Sequence, residues 1–191
     1  MPTGFNCVVL LVVRCYNINN NGNEPMEMMI MEPFIIALFG HRDLYAHRKV
    51  EERLTDILRD LIRKKEYIEI YIGRNGEFDV FAASVVKRVI KEYSYGNVGM
   101  TLVLPYPDKD MEYYDDYYDS VMIPECIGRT HPKGAITKRN RWMVEECNLF
   151  VGYIEHEGGA ATAMKYAQKL RKDVINMAED KEDNVKFKFT Y

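Results

Sequence analysis

Three segments of this 191-residue chain combine glycines with side chains that can grip an anion. Gly40-His41-Arg42-Asp43 joins a glycine, which allows close backbone approach, to two side chains that donate to an anion. Asp43 suits the cap of a following helix. Gly73-Arg74-Asn75-Gly76-Glu77-Phe78-Asp79 sets two glycines three residues apart around an Asn, a loop able to turn N–H groups outward. Arg74 is placed to complete a phosphate cradle there. Asp79 falls in the first turn of the next helix, where an acid either complements the helix dipole or meets the ligand. Glu155-His156-Glu157-Gly158-Gly159-Ala160-Ala161-Thr162 opens a helix with Gly-Gly. Its N–H groups, and the Thr162 hydroxyl, can hold a phosphate. Glu155 and Glu157 repel an anion unless they face away or read a sugar hydroxyl.

Each segment follows an apolar run, and that placement gives it meaning. Phe34–Phe39 reads as a buried parallel strand ending at Gly40, and Tyr67–Ile72 as a second ending at Gly73. Thr101–Leu104, a short Val121–Ile123, Leu149–Ile154 and Val174–Met177 continue the series. Between them, 47–65 and 78–93 carry helical apolar stripes, 137–147 and 159–170 also read as helices, and the acid- and tyrosine-rich stretch 108–119 reads as a loop. Alternation of this kind predicts an α/β fold: a Rossmann-like, mostly parallel sheet with helices on both faces, in a single domain. Ligands of such folds bind beyond the carboxyl ends of the strands.

Composition narrows the chemistry further. Lys plus Arg is 26 and Asp plus Glu 29, a net charge of −3, so a duplex-DNA partner is not expected. Cys7, Cys15, Cys126 and Cys147 show no metal-ligand spacing and read as reduced thiols of a cytoplasmic protein. No metal and no cofactor is expected: GxxxxGK[ST], GxGxxG, GxSxG and HExxH are all missing. The apolar run Val8–Val13 is too short to span a bilayer, and its first basic residue, Arg14, follows it rather than precedes it. Residues 1–25 thus form an unassigned extension, read either as a start-site artefact, given Met26, Met28, Met29 and Met31, or as an extra strand at Cys7–Val13 on a sheet edge. Residues 33–178 form the domain, and 179–191 a charged tail.

Taken in order, FGHRDL, GRNGEFDVFAA, LVLPY, ITKRNRWMVEECNLFVGY and GGAATAMKYAQKLRKDVINM resemble the SLOG superfamily of Rossmann-like proteins. The match is to its YpsA-like branch, common in Gram-positive bacteria and their phages. The resemblance implies binding of a nucleotide or nucleotide-derived phosphorylated ligand. It also makes Arg139 a candidate binding and catalytic residue. In the related Lonely Guy phosphoribohydrolases an Arg stands four residues before a Met, as Arg139 and Met143 do, and a PGGxGTxxE loop follows. Gly158, Gly159 and Thr162 match that loop, whereas its third glycine is Ala161 and its catalytic Glu is Lys165. A cation there opposes the oxocarbenium-like state of glycosidic cleavage.

Three functions remain. The first is a nucleotide-ligand binding protein, a sensor or regulator. The second is an N-glycosidase using another acid, Asp79, Glu77, Glu155 or Glu157. The third is single-stranded DNA binding, as in the superfamily member DprA. Homodimerisation is implied by analogy alone. Tyr106, Tyr113, Tyr114, Tyr117 and Tyr118 form either a base-stacking lid or a packed element.

Overall fold

The computed structural model describes residues 12–15, 28–128 and 130–179. Its centre is a six-stranded parallel sheet. In chain order the strands are β3 (Phe34–Gly40), β4 (Ile68–Ile72), β5 (Val98–Val103), β6 (Ser120–Met122), β7 (Leu149–Tyr153) and β8 (Asp173–Asn176). They lie side by side as β6-β5-β4-β3-β7-β8. The α/β, Rossmann-like architecture read from the strand–helix alternation is the one observed.

Helices α1 (His47–Lys64), α2 (Glu77–Tyr93), α3 (Met111–Tyr117), α4 (Pro132–Glu146) and α5 (Gly159–Lys169) connect the strands. From β3 to β6 the chain steps outward in one direction; it then returns to β7 on the other side of β3. A right-handed crossover puts its helix on one face of the sheet, and reversing the direction of travel puts it on the other. The core divides accordingly. Ile36, Leu38, Ile68, Ile70 and Ile72 pack with α1 and α2 through Val50, Leu54, Leu58, Phe78 and Val86. Their strand neighbours Ala37, Phe39, Tyr71 and Phe150 pack with α4 and α5 through Met143, Val144 and Ala163. Each fully buried Leu, Ile or Phe contributes about 1.5–3 kcal/mol. Trp142 belongs to this second layer, stacked on Tyr71 at 5.4 Å.

Three local readings change. Residues 108–119 are not a loop throughout: α3 forms there, burying Tyr114 and Tyr118 and leaving Tyr113 exposed. The fourth helix begins at Pro132, five residues before Thr137, with His131 accepting the Lys133 N–H as its cap. Proline suits the first helical position because its missing N–H would be unpaired there anyway. At the amino terminus, β1 (Val12–Cys15) pairs antiparallel with β2 (Met28–Met31), as a two-stranded sheet apart from the main one. The rest of the Cys7–Val13 segment and residues 180–191 lie outside the described residues.

Candidate functional site

The reversal between β3 and β7 opens a gap above their carboxyl ends, the position at which doubly wound sheets take ligands. A cleft of about 280 Å³ lies there. It is lined by Gly40, His41 and Arg42 after β3, Gly73, Asn75, Gly76 and Asp79 after β4, Ile136, Arg139 and Asn140 on α4, and His156 to Ala160 after β7. Ten of the twelve candidate binding residues share this lining. Arg74 and Thr162 do not.

Glycines let the loops interlock. A Cβ on Gly40 would stand 2.0 Å from the Phe78 ring, and one on Gly76 2.7 Å from the Arg42 Cα. The Glu77 N–H donates to the Arg42 carbonyl at 2.7 Å, and the Glu77 carboxylate accepts from the Leu44 N–H at 3.0 Å. Glu77 is therefore a strut between two loops, facing away from the cleft lining.

Arg139 is buried and braces three elements. Its Nη1 donates to the Val103 carbonyl (3.2 Å) and contacts Met143 Sδ (3.7 Å); its Nη2 donates to Asn75 Oδ1 (2.7 Å). The Arg-x-x-x-Met spacing thus places the sulfur against the guanidinium one helical turn away. Nε has no partner, an uncommon condition for a buried donor. Asp79 faces the same space beside Gly73, and its carboxylate accepts the Asn75 N–H at 2.8 Å. A Cβ on Gly73 would come within 2.0 Å of Arg139 Nη1 and 2.8 Å of Asp79 Oδ2. Burial raises the Asp79 carboxyl and lowers the Arg139 guanidinium, and their mutual attraction opposes both shifts.

Arg74 turns instead to α3. Its guanidinium lies 4.6 Å from the centre of the Tyr114 ring and 5.8 Å from that of Tyr113. The tyrosine-rich segment is thus a packed element that captures Arg74, and none of its five tyrosines lines the cleft. Thr162 donates its hydroxyl to the Gly158 carbonyl at 2.9 Å, closing the first turn of α5. Lys165 reaches Glu157 at 2.6 Å, so the cation at this position pairs with an acid of the cleft rim.

His41, buried after β3, accepts at Nε2 from the Glu155 N–H (3.0 Å) and the His156 N–H (3.3 Å), and stacks on the His156 ring at 3.6 Å. Burial, then His156, hold its imidazole below the ordinary value, with Glu155 opposing. Ile136 lies ahead of the predicted 137–147 helix, whereas Asn140 falls within it but carries no motif that marks it. The signal for Ile136 is Pro132, a residue suited to a helix start. Among the described residues no group of His, Cys, Asp or Glu could hold a metal ion, and no helix is long and apolar enough to cross a membrane.

No family model and no curated protein matches the chain. Solved structures do. DNA processing protein A (DprA) from Streptococcus pneumoniae is similar with a TM-score of 0.54 and 16% identity, over 74% of this chain and 49% of that one. TM1055, a structural genomics target, gives 0.50 and 14%, over 73% and 71%. The molybdenum cofactor carrier protein of Chlamydomonas reinhardtii gives 0.49 and 16%, over 74% of each. This chain matches about half the length of the DprA structure. What DprA and TM1055 share with it is the fold alone.

Proposed function

We propose that this protein binds a small nucleotide-derived, phosphorylated ligand at the carboxyl ends of β3 and β7, as a YpsA-like member of the SLOG superfamily. The observation that carries the reading is the convergence of four chain segments on one cleft whose wall holds a buried guanidinium with an unmet N–H. The start of α5 supplies backbone N–H groups and the positive end of a helix to the phosphate. Arg42, exposed at the rim, adds a charge-assisted donor. Ile136 and Asn140 offer an apolar surface and an amide to the remainder of the ligand. At about 280 Å³ the cleft is at the small end of ligand pockets, which favours a mononucleotide over a dinucleotide.

Gly159→Asp is the test. A Cβ at Gly159 meets nothing within 4 Å, and an acid in the first turn suits the helix, so the chain folds. Its carboxylate occupies the phosphate seat. Calorimetry against nucleoside monophosphates is expected to show binding by the wild type and at least about a tenfold loss in the variant. Equal affinities, or no binding by the wild type, reject the proposal.

A second reading, N-glycosidic hydrolysis, draws on the two acids in the lining, Asp79 and Glu157. Free base released from a nucleoside monophosphate, and lost in Glu157→Gln, would establish it. Single-stranded DNA is disfavoured by the acids Glu112, Asp115 and Asp116 on α3, beside Arg74.

A further inference from the structure

We propose that His41, as a neutral imidazole carrying its proton on Nδ1, is a positioning residue that latches the β7–α5 loop onto the β3 loop and so holds the cleft in its anion-binding form. The inference rests on reading the cleft as an anion site, and it adds what keeps that site assembled.

Both backbone N–H groups that meet Nε2 are donors, so Nε2 must present its lone pair and the single ring proton must sit on Nδ1. Nδ1 in turn faces Gly158, 3.9 Å from where a Cβ would stand there, at the start of α5. His156 is oriented independently: its Nδ1 donates to the Glu157 carbonyl at 3.0 Å, and its ring lies parallel to that of His41 within 13°. Two strands that are neighbours in the sheet but 114 residues apart in sequence are thereby joined above their ends by one side chain.

The latch depends on the ring staying neutral. A proton on Nε2 would set an N–H against two N–H donors. The groups around it divide in sign. His156 stacks on it and opposes a second cation; Glu155 on the same loop favours one. Arg42 on its own loop, Arg139 on α4, Asp79 on α2 and Glu157 after β7 complete the charged lining. Because the folded protein lowers the His41 value, the latch is intact above the ordinary imidazole value of 6.5 and is lost as pH falls through the lowered one.

The experiment is NMR of the full-length, nitrogen-15-labelled protein, paired with sulfate binding; sulfate keeps its charge throughout the imidazole range. The wild type is expected to show the Nδ1–H tautomer at His41. The Glu155 and His156 amide protection factors should then fall together as His41 titrates. In His41→Gln the side-chain oxygen stands near the Nε2 position and has no proton to gain, so protection persists through the same pH range. In His41→Leu protection is lost at every pH, and sulfate binding at neutral pH weakens by at least about tenfold, with His41→Gln within about threefold of wild type. An Nε2–H tautomer, amide protection that ignores His41 titration, or wild-type sulfate affinity in His41→Leu overturns the proposal. Should His41→Leu fail to fold, the tautomer and the His41→Gln profile still decide. If the wild type binds neither sulfate nor nucleotide, the anion-site reading falls, and the latch is judged on tautomer and amide protection alone.

Discussion

Two acidic niches lie against the same sheet, and each exists because a glycine gives up its side-chain space. In one, Glu69 on β4 sits across from Gly99 on β5; a Cβ on Gly99 would be 2.6 Å from Glu69 Oε2 and 2.5 Å from the Tyr67 hydroxyl. In the other, Asp79 and Arg139 meet in the space that a Gly73 side chain would fill. Glu69 is closed in by hydroxyl donors: Thr101 Oγ1 at 2.6 Å and Tyr67 at 3.4 Å. The niche beyond the end of β4 holds a full guanidinium, leaves its Nε without a partner and opens onto the cleft. A buried polar group satisfied by its neighbours belongs to the scaffold, whereas one left short of a partner at the carboxyl end of a parallel sheet marks a place for something else.

Mutations can break that contrast or sharpen it. The largest effect is expected from Gly73→Ala, whose methyl group would overlap the guanidinium. Displacing a buried, hydrogen-bonded charge costs about 3–5 kcal/mol, read as a lower denaturation midpoint together with loss of ligand. A midpoint unchanged from wild type would mean that Arg139 does not occupy this site in solution. Next comes Asp79→Asn, which keeps an acceptor for the Asn75 N–H but removes the charge facing Arg139. About 1.5–3 kcal/mol should be lost, most of it as coupling in a double-mutant cycle with Arg139→Gln. Additive losses would show that the two groups stand independently.

The smallest effect, and the only gain, is expected at Glu69→Gln. Burial is the main cause that raises the Glu69 carboxyl above its ordinary value. A raised acid contributes stability below its ordinary titration range, and the contribution is lost as pH rises through the folded value. Glu69→Gln removes that slope. The variant should exceed wild type in chemical denaturation at neutral pH and lose the advantage at about pH 4. A pH-independent difference would place the Glu69 effect in packing rather than charge.

The strands were legible because their runs are mostly apolar and β-rich; FIIALF and YIEIYI, each followed by a glycine, admit little else, even with Glu69 inside the second. The glycine loops were legible for the same reason, since their position after a strand follows from the alternation. Partner choice was not. Arg74 and Arg42 look equivalent in sequence, each one or two residues past a strand-ending glycine. Only the folding of α3, where the composition predicts a loop, puts two tyrosines where Arg74 finds them. The start of α4, residues 132–136, is not legible from the 137–147 pattern, and with it goes Ile136, one of the three α4 residues of the wall.

The Gly40–Phe78 contact ties the cleft to the interior in a further way. The ring that fills the space above Gly40 is fully buried and belongs to the layer formed by α1 and α2. Gly40 lines the cleft, and directly behind it stands a side chain of the core. Force applied to the β3 loop by an incoming ligand therefore passes directly into the packing of two helices, and residues at this junction must satisfy recognition and folding together.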